Sequence, residues 1–303
     1  MTDVALVIGE CLVDVVHGSD GSKVEFPGGS AANVAVALAR LDREVRFGTS
    51  FGDDERGRRL ADWLAQDGVQ LASDPYAIGH TSTAEATIGS DGAASYTFDL
   101  SWRLNPVDPD LVPSFVHTCS LGAVLMPGAI SVLREVERLG QHALISYDVN
   151  VRAAVTGTGP DLLERVRAIT SAADLVKASD EDLEALYPGV DALTAAKDLL
   201  ALGPAAVILT RGGDGATWVG AGQEIDVAAV PVPVADTIGA GDTFCAAVID
   251  GLWSHGIGGA AGREQLVDVH RDVVVEVLAH AARAASVTVG RPGADPPYRR
   301  ELG

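Results

Sequence analysis

The stretch Val230–Phe244, VPVPVADTIGAGDTF, holds the residue types needed to cradle a phosphoryl group beside a proton acceptor. A β-like run enters it, a small-residue turn follows, and an apolar helical pattern continues through Phe244–Leu252. Gly239 and Gly241 carry no Cβ, so a ligand can approach the backbone closely. The first N–H groups of a helix have no intrahelical partner and sit at the positive end of its dipole. Together with Ala240 they offer a positive concavity that needs no cationic side chain. Such a concavity suits a phosphoryl group whose charge spreads in a transition state. Asp242 falls in the first helical turn, where its carboxylate is favoured as an anion and can accept a proton. The alternative reading of the same residues is a helix-capping Asp and a tight αL turn.

Two further stretches could hold a polyhydroxyl ligand. Phe26–Asn33, FPGGSAAN, is again a glycine turn, Gly28-Gly29, opening a helix. Asn33 lies inside that helix, where its propensity is poor, and its amide can both donate to and accept from hydroxyls. The competing reading is a cap with Asn33 on the surface. Asp14 falls just beyond the first predicted strand. Ligands of open α/β sheets bind at the carboxyl ends of strands, and a carboxylate there can take two hydroxyls at once; otherwise Asp14 is a solvated turn residue.

Other chemistries lack their signatures. There is no Gly-Lys pair, hence no Walker-type loop, and no HExxH zinc motif. Gly256–Ala261 imitates a dinucleotide fingerprint, but it follows a helical segment, Asp250–His255, rather than a strand. The seven His make no metal spacing with Cys or with one another. Three scattered cysteines, Cys11, Cys119 and Cys245, without a CxxC, read as reduced buried thiols.

These groups must be positioned by a sizeable fold. The chain has 303 residues, 47% of them apolar, enough for a large core. With 22 Lys and Arg against 42 Asp and Glu, the net charge is −20. That balance argues against nucleic acid or an anionic membrane as partner. No basic, apolar leader opens the sequence and no uninterrupted apolar span is long enough for a bilayer, so a cytoplasmic location is expected. Strand-like runs at Val4–Ile8, Val45–Thr49, Ala143–Tyr147, Leu175–Ala178 and Ala205–Thr210 alternate with helical patterns at Ala31–Leu41, Glu55–Gln66, Ile130–Leu139, Asp161–Ala172 and Ala192–Leu202. Such alternation predicts βαβ units and a mostly parallel sheet covered on both faces. Val13–Phe26 and Thr83–Leu100 break the pattern. They read as short alternating strands with turns at Gly18–Gly21 and Gly89–Gly92, a half-exposed antiparallel flap that could exclude water. A long helix is expected over Leu266–Ala285, followed by a loop at Thr288–Pro297.

With these stretches in this order, the chain resembles the PfkB, or ribokinase-like, family of carbohydrate kinases, in its fructokinase-like branch. Asp236–Asp242, DTIGAGD, matches that family's C-terminal signature; Gly28, Gly29, Asn33, Gly48 and Gly57 match the N-terminal one. The resemblance implies a three-layer α/β/α sandwich with a mostly parallel sheet and a small β-sheet lid. Residues 1–303 would form one such domain, with lid insertions at about 12–27 and 82–104. It also implies roles. Asp242 is the expected base, with the N–H groups of Gly239, Ala240 and Gly241 as anion hole. Asp14, Gly28, Gly29 and Asn33 would bind the sugar, with Arg103 of the flap as a further contact, although its neighbour Trp102 reads equally as packing. Thr210, Gly212 and Gly215 resemble the turn that contacts the nucleotide. Arg152, in Asp148–Arg152, resembles an arginine near the phosphates, and otherwise a strand-end ion pair. Where the family often has Asn-x-x-Glu, this chain has Ser179-Asp180-Glu181-Asp182, which moves the expected water-mediated Mg²⁺ role to Asp182, with Glu181 as substitute. Carbonyls of Asp236, Ile238 and Ser286–Gly293 are candidates for a K⁺ site. His280 would border the adenine or simply pack. The implied activity is ATP-dependent phosphorylation of a ketohexose such as fructose. Rivals are a kinase for 2-keto-3-deoxygluconate, ribose, or another polyol or nucleoside, and a sugar sensor without catalysis. Pairing of two flaps would make a homodimer.

Overall fold

A computed structural model describes residues 4–18, 21–88 and 94–303, with the backbone alone considered at 88, 94 and 95. The turn expected at Gly89–Gly92 lies outside the described residues, as does part of that at Gly18–Gly21. The strands are β1 (Val4–Ile8), β2 (Leu12–His17), β3 (Lys23–Gly28), β4 (Glu44–Gly48), β5 (Gln70–Leu71), β6 (Thr83–Ile88), β7 (Ala94–Asp99), β8 (Phe115–Cys119), β9 (Leu144–Asp148), β10 (Leu175–Ser179), β11 (Ala206–Thr210), β12 (Ala216–Gly220) and β13 (Gln223–Val227).

Nine of them form one sheet, ordered β13-β12-β11-β10-β9-β8-β1-β4-β5. From β11 to β5 neighbouring strands pair in parallel; only the β11-β12-β13 edge is antiparallel. Every residue of β1, β8 and β9 is buried, as a parallel sheet covered on both faces requires. Successive side chains alternate between two cores. Ala5 and Val7 of β1 pack into the one that holds the helices Ser30–Arg40 and Ala240–Ser254. Leu6 and Ile8 pack into the other, with Val132, Val166 and Leu199. The expected α/β sandwich is therefore present. The strand β8 did not stand out in sequence, because His117, Thr118 and Cys119 interrupt a run of only five residues; in the fold all three are buried.

The remaining four strands form a separate sheet, β3-β2-β6-β7. It contains two antiparallel hairpin pairs, as the alternation suggested. They meet through a parallel pairing, β2 with β6, that alternation alone cannot reveal. One cross-strand row carries Asp14, opposite Ala84, opposite Phe98.

The long C-terminal helix is corrected. It is two helices, Gly262–Val267 and Arg271–Val289. At the break His270 takes extended backbone, and its ring Nδ1 accepts from the Asp272 N–H, starting the second helix anew. No helix among the described residues is long and apolar enough to cross a membrane. All three cysteines are buried and unpaired.

Candidate active site

One cleft of about 1140 Å³ runs along the carboxyl ends of the parallel strands. At one end it is bounded by Leu12, Asp14, Ala84 and Phe98 of the small sheet. At the other lie Thr210, Gly212, Gly215 and an apolar strip including Val232, Leu278 and Ala282. Gly239, Ala240, Gly241 and Asp242 stand between the two.

The glycine turn at 239–241 is built as its composition requires. Gly239 adopts a left-handed conformation, φ 74° and ψ 0°, and leads into the helix Ala240–Ser254. A Cβ on it would lie 2.7 Å from that of Ala294. The Ala240 N–H donates to the Thr237 carbonyl at 3.2 Å, which closes the turn. Gly241 passes so near Lys177 that a Cβ there would lie 3.2 Å from Nζ. Asp242, in the first turn, is only 6% exposed. Its Oδ1 accepts from the Ser30 hydroxyl at 2.7 Å and its Oδ2 from the Asn33 amide at 2.8 Å. Both donors lie on the helix Ser30–Arg40, more than 200 residues earlier in the chain. Asn33 is thus a buried contact of Asp242, not a surface residue, and its Oδ1 has no hydrogen-bond partner.

The two glycines before that helix act differently. Gly29 has φ 106°, and a Cβ on it would strike the Glu10 carbonyl at 2.6 Å, so the chain crosses tightly over the end of β1. Gly28 does not line the cleft; a Cβ there would lie 2.0 Å from Asp14 Oδ2. It makes room for the carboxylate. Burial raises the Asp14 pKa to about 6, against the lowering effect of Arg152.

Glu10 was not singled out by sequence reasoning. It follows β1, is 7% exposed and lines the cleft. Its carboxylate accepts from the N–H of Ser30 at 3.1 Å and of Gly122 at 2.7 Å, joining the starts of two helices. Burial raises its pKa to about 7, opposed by its own backbone N–H, that of Gly122, and Arg152. The available signal was a carboxylate one glycine past the end of an all-apolar strand. Lys177 also lines the cleft and was not expected there. Its ammonium bridges to Asp148, 3.0 Å from Oδ1, at the end of β9. Burial would lower its pKa, but Asp148 and other nearby groups raise it overall.

The other expected residues separate into two groups. Arg152 is exposed and lines the cleft. Ser179, Thr210, Gly212 and Gly215 line it too; Gly215 has φ 91°, and a Cβ there would lie 2.2 Å from the Val227 carbonyl. Asp182 also lines it, but both carboxylate oxygens accept backbone N–H groups, from Val151 at 2.7 Å and Ser179 at 2.8 Å. With Ser179 it forms a capping box, so its geometry is that of a helix start. Ile238 lines the cleft while Asp236 does not; the Asp236 carboxylate ties the Ile238 and Gly293 N–H groups together. Arg103 is exposed and outside the cleft lining, because its neighbour Trp102 is buried with its indole N–H on the Gly122 carbonyl. His280 packs with its ring Nε2 2.9 Å from Asp250 Oδ2 and does not line the cleft. Among the described residues, no group of three or more His, Cys, Asp or Glu is arranged to hold a metal.

The arrangement offers a buried proton acceptor, a glycine turn suited to an anion, and a polar pocket with Asp14 and Asn33. Comparison with known proteins places the whole chain among carbohydrate kinases. The profile of pfkB family carbohydrate kinases matches residues 2–300. A fructokinase from Klebsiella pneumoniae is 31% identical over 262 residues, covering 83% of this chain and 85% of that protein. A fructokinase from Xylella fastidiosa, solved with bound ATP, superposes with a TM-score of 0.85 at 25% identity, covering 100% of this chain and 98% of that one. An aminoimidazole riboside kinase from Salmonella enterica, solved with aminoimidazole riboside and an ATP analogue, gives 0.79 at 26% identity, covering 99% and 98%.

Proposed function

This chain belongs to the pfkB family of carbohydrate kinases, and from that premise we propose that it phosphorylates a ketohexose, fructose, with ATP as donor. The observation that carries the reading is the burial of Asp242 beside Asn33, between the glycine turn and the pocket that holds Asp14. The sugar lies against the four-stranded sheet, with hydroxyls on Asp14, Asn33 and the Gly29 backbone; Arg103 is left outside. Asp242 takes the proton of the attacking hydroxyl. That oxygen forms its bond to the γ-phosphorus as the bond to the β-phosphate oxygen breaks and ADP leaves with the electron pair. The backbone around Gly239–Gly241 faces the transferring group. Arg152 approaches the phosphates, and Thr210, Gly212 and Gly215 follow the nucleotide. The fructokinase similarities favour fructose over ribose or ketodeoxygluconate.

The four-stranded sheet serves as a lid of a single domain, excluding water from the transfer. Its exposed apolar side chains, Val24, Phe26 and Tyr96, support pairing of two lids in a homodimer. The residues fit Mg²⁺ only as a passenger of the nucleotide. Asp182 is engaged by backbone donors, so Asp180 and Glu181, exposed at the cleft, would reach it through water. Mg²⁺ would supply charge neutralisation of the phosphates. Carbonyls of Asp236, Ile238 and Ser286–Gly293, the last a stretch that begins in the final turn of the helix Arg271–Val289, would hold K⁺ where the Asp236 carboxylate accepts the Gly293 N–H. Buried unpaired thiols fit a reducing, cytoplasmic setting. The test is ADP release measured across a panel of fructose, ribose, 2-keto-3-deoxygluconate and nucleosides. Fructose should give the highest kcat/KM. Higher efficiency with another acceptor would reassign the substrate, and binding of sugar without ADP release would make the protein a sensor.

A further inference from the structure

Ser30 is the first residue of the helix Ser30–Arg40, just after its N-cap Gly29, which has no side chain to satisfy the backbone N–H groups of the first turn. The Ser30 hydroxyl does not take that role either. The helix has no side-chain cap, and the Ser30 backbone N–H is itself taken by Glu10. The hydroxyl instead lies 2.7 Å from Asp242 Oδ1, donating to it. On its other side the Asn150 amide donates to Ser30 Oγ at 2.8 Å. Cys119 Sγ, at 3.2 Å, is the third neighbour. A hydroxyl has a single proton. The nearer carboxylate oxygen is the stronger acceptor, so the proton points at Asp242. Asn150, which supplies the outer donor, has φ 39°, a left-handed conformation that an asparagine tolerates better than most residues. Ser30 is 7% exposed, so water competes little for either bond.

We propose that Ser30 is a positioning residue for the phosphoryl transfer: a relay running Asn150 amide, Ser30 hydroxyl, Asp242 Oδ1 fixes the plane of the carboxylate that receives the sugar proton. The inference rests on Asp242 being the base. Asn33 holds Oδ2, so the two oxygens are gripped from different residues and the carboxylate cannot swing when the sugar arrives. Each oxygen keeps a second lone pair for the incoming hydroxyl. Ser30 retains its own proton throughout; the sugar proton passes to Asp242 alone.

The test is steady-state kinetics on Ser30→Ala, Asn150→Ala, the double variant and Asp242→Asn, with sugar binding and melting followed in parallel. Loss of one hydrogen bond to the charged base should lower kcat of Ser30→Ala roughly 10- to 100-fold. The sugar and ATP KM should change by less than about threefold, because the groove itself is intact. The double variant should be no slower than Ser30→Ala. A merely structural Ser30 would instead lower the melting temperature and raise both KM values. A kcat within about twofold of wild type in Ser30→Ala, or multiplying losses in the double variant, overturns the relay. Should Ser30→Ala fail to fold, Asn150→Ala decides alone: unchanged kcat overturns the proposal. An active Asp242→Asn enzyme would remove the base, and the relay with it; an inactive one with wild-type-like Ser30→Ala removes the relay only.

Discussion

Replacing Lys177 by Met tests how far its buried pair with Asp148 stabilises the fold. Lys177 is 8% exposed and its ammonium lies 3.0 Å from Asp148 Oδ1, while Asp148 is 0% exposed. Methionine nearly matches the shape but leaves a carboxylate buried without its cation. Breaking a buried pair from one side costs about 3–5 kcal/mol. Unfolding entropy near 2.1 cal/mol/K per residue gives roughly 0.6 kcal/mol/K for a chain of this length. The melting temperature should therefore fall by about 5–8 °C. Differential scanning calorimetry of Lys177→Met reads this directly. The double variant Lys177→Met/Asp148→Asn removes both charges and should recover most of the loss. A single variant melting within about 1 °C of wild type, or a double variant melting below the single one, would refute the view that the pair is mutually dependent.

Glu10 makes the stability pH-dependent. Its pKa of about 7 in the fold stands above the ordinary 4.5, so between these values the folded chain binds a proton that the unfolded chain has released. Its contribution is full below pH 4.5 and is lost as pH rises through about 7; it is on the order of 3 kcal/mol. Urea unfolding at pH 5 and pH 8 should show a larger fall for wild type than for Glu10→Gln, and equal falls would contradict it. Gly28→Ala places a Cβ 2.0 Å from Asp14 Oδ2. The sugar KM should rise at least about tenfold with the ATP KM nearly unchanged; an unchanged sugar KM would remove Asp14 from the sugar pocket.

The glycine turn and the carboxylate after it were legible because their signal is local. Glycines at 239 and 241 with an acid at 242 announce a turn, a helix start and a carboxylate in seven consecutive residues. Asp14 was picked out as a residue just past the first strand, but it lies inside β2 of the small sheet, so its place came from strand pairing that the local sequence does not show. The parallel sheet could be read from apolar runs alternating with helical patterns, except where a strand such as β8 mixed polar with apolar residues and still became buried. What holds Asp242 was not legible. Ser30 and Asn33 reach it across 212 and 209 residues, a pairing set by how two helices pack over the sheet. Glu10 and Lys177 likewise acquire meaning from burial and from neighbours on other strands. Arg103 shows the converse. Its position in the flap invited a sugar contact, but the buried Trp102 fixes the backbone with Arg103 on the outside.

The most direct measurement is single-turnover transfer of the γ-phosphoryl group of ATP to fructose by Asp242→Ala, alongside fructose and ATP affinities. Removal of one positioned base should slow transfer by about 10²–10⁴-fold, while both ligands bind within a few-fold of wild type. Transfer at a rate near wild type would contradict the assignment of Asp242 as the base on which the proposed mechanism depends.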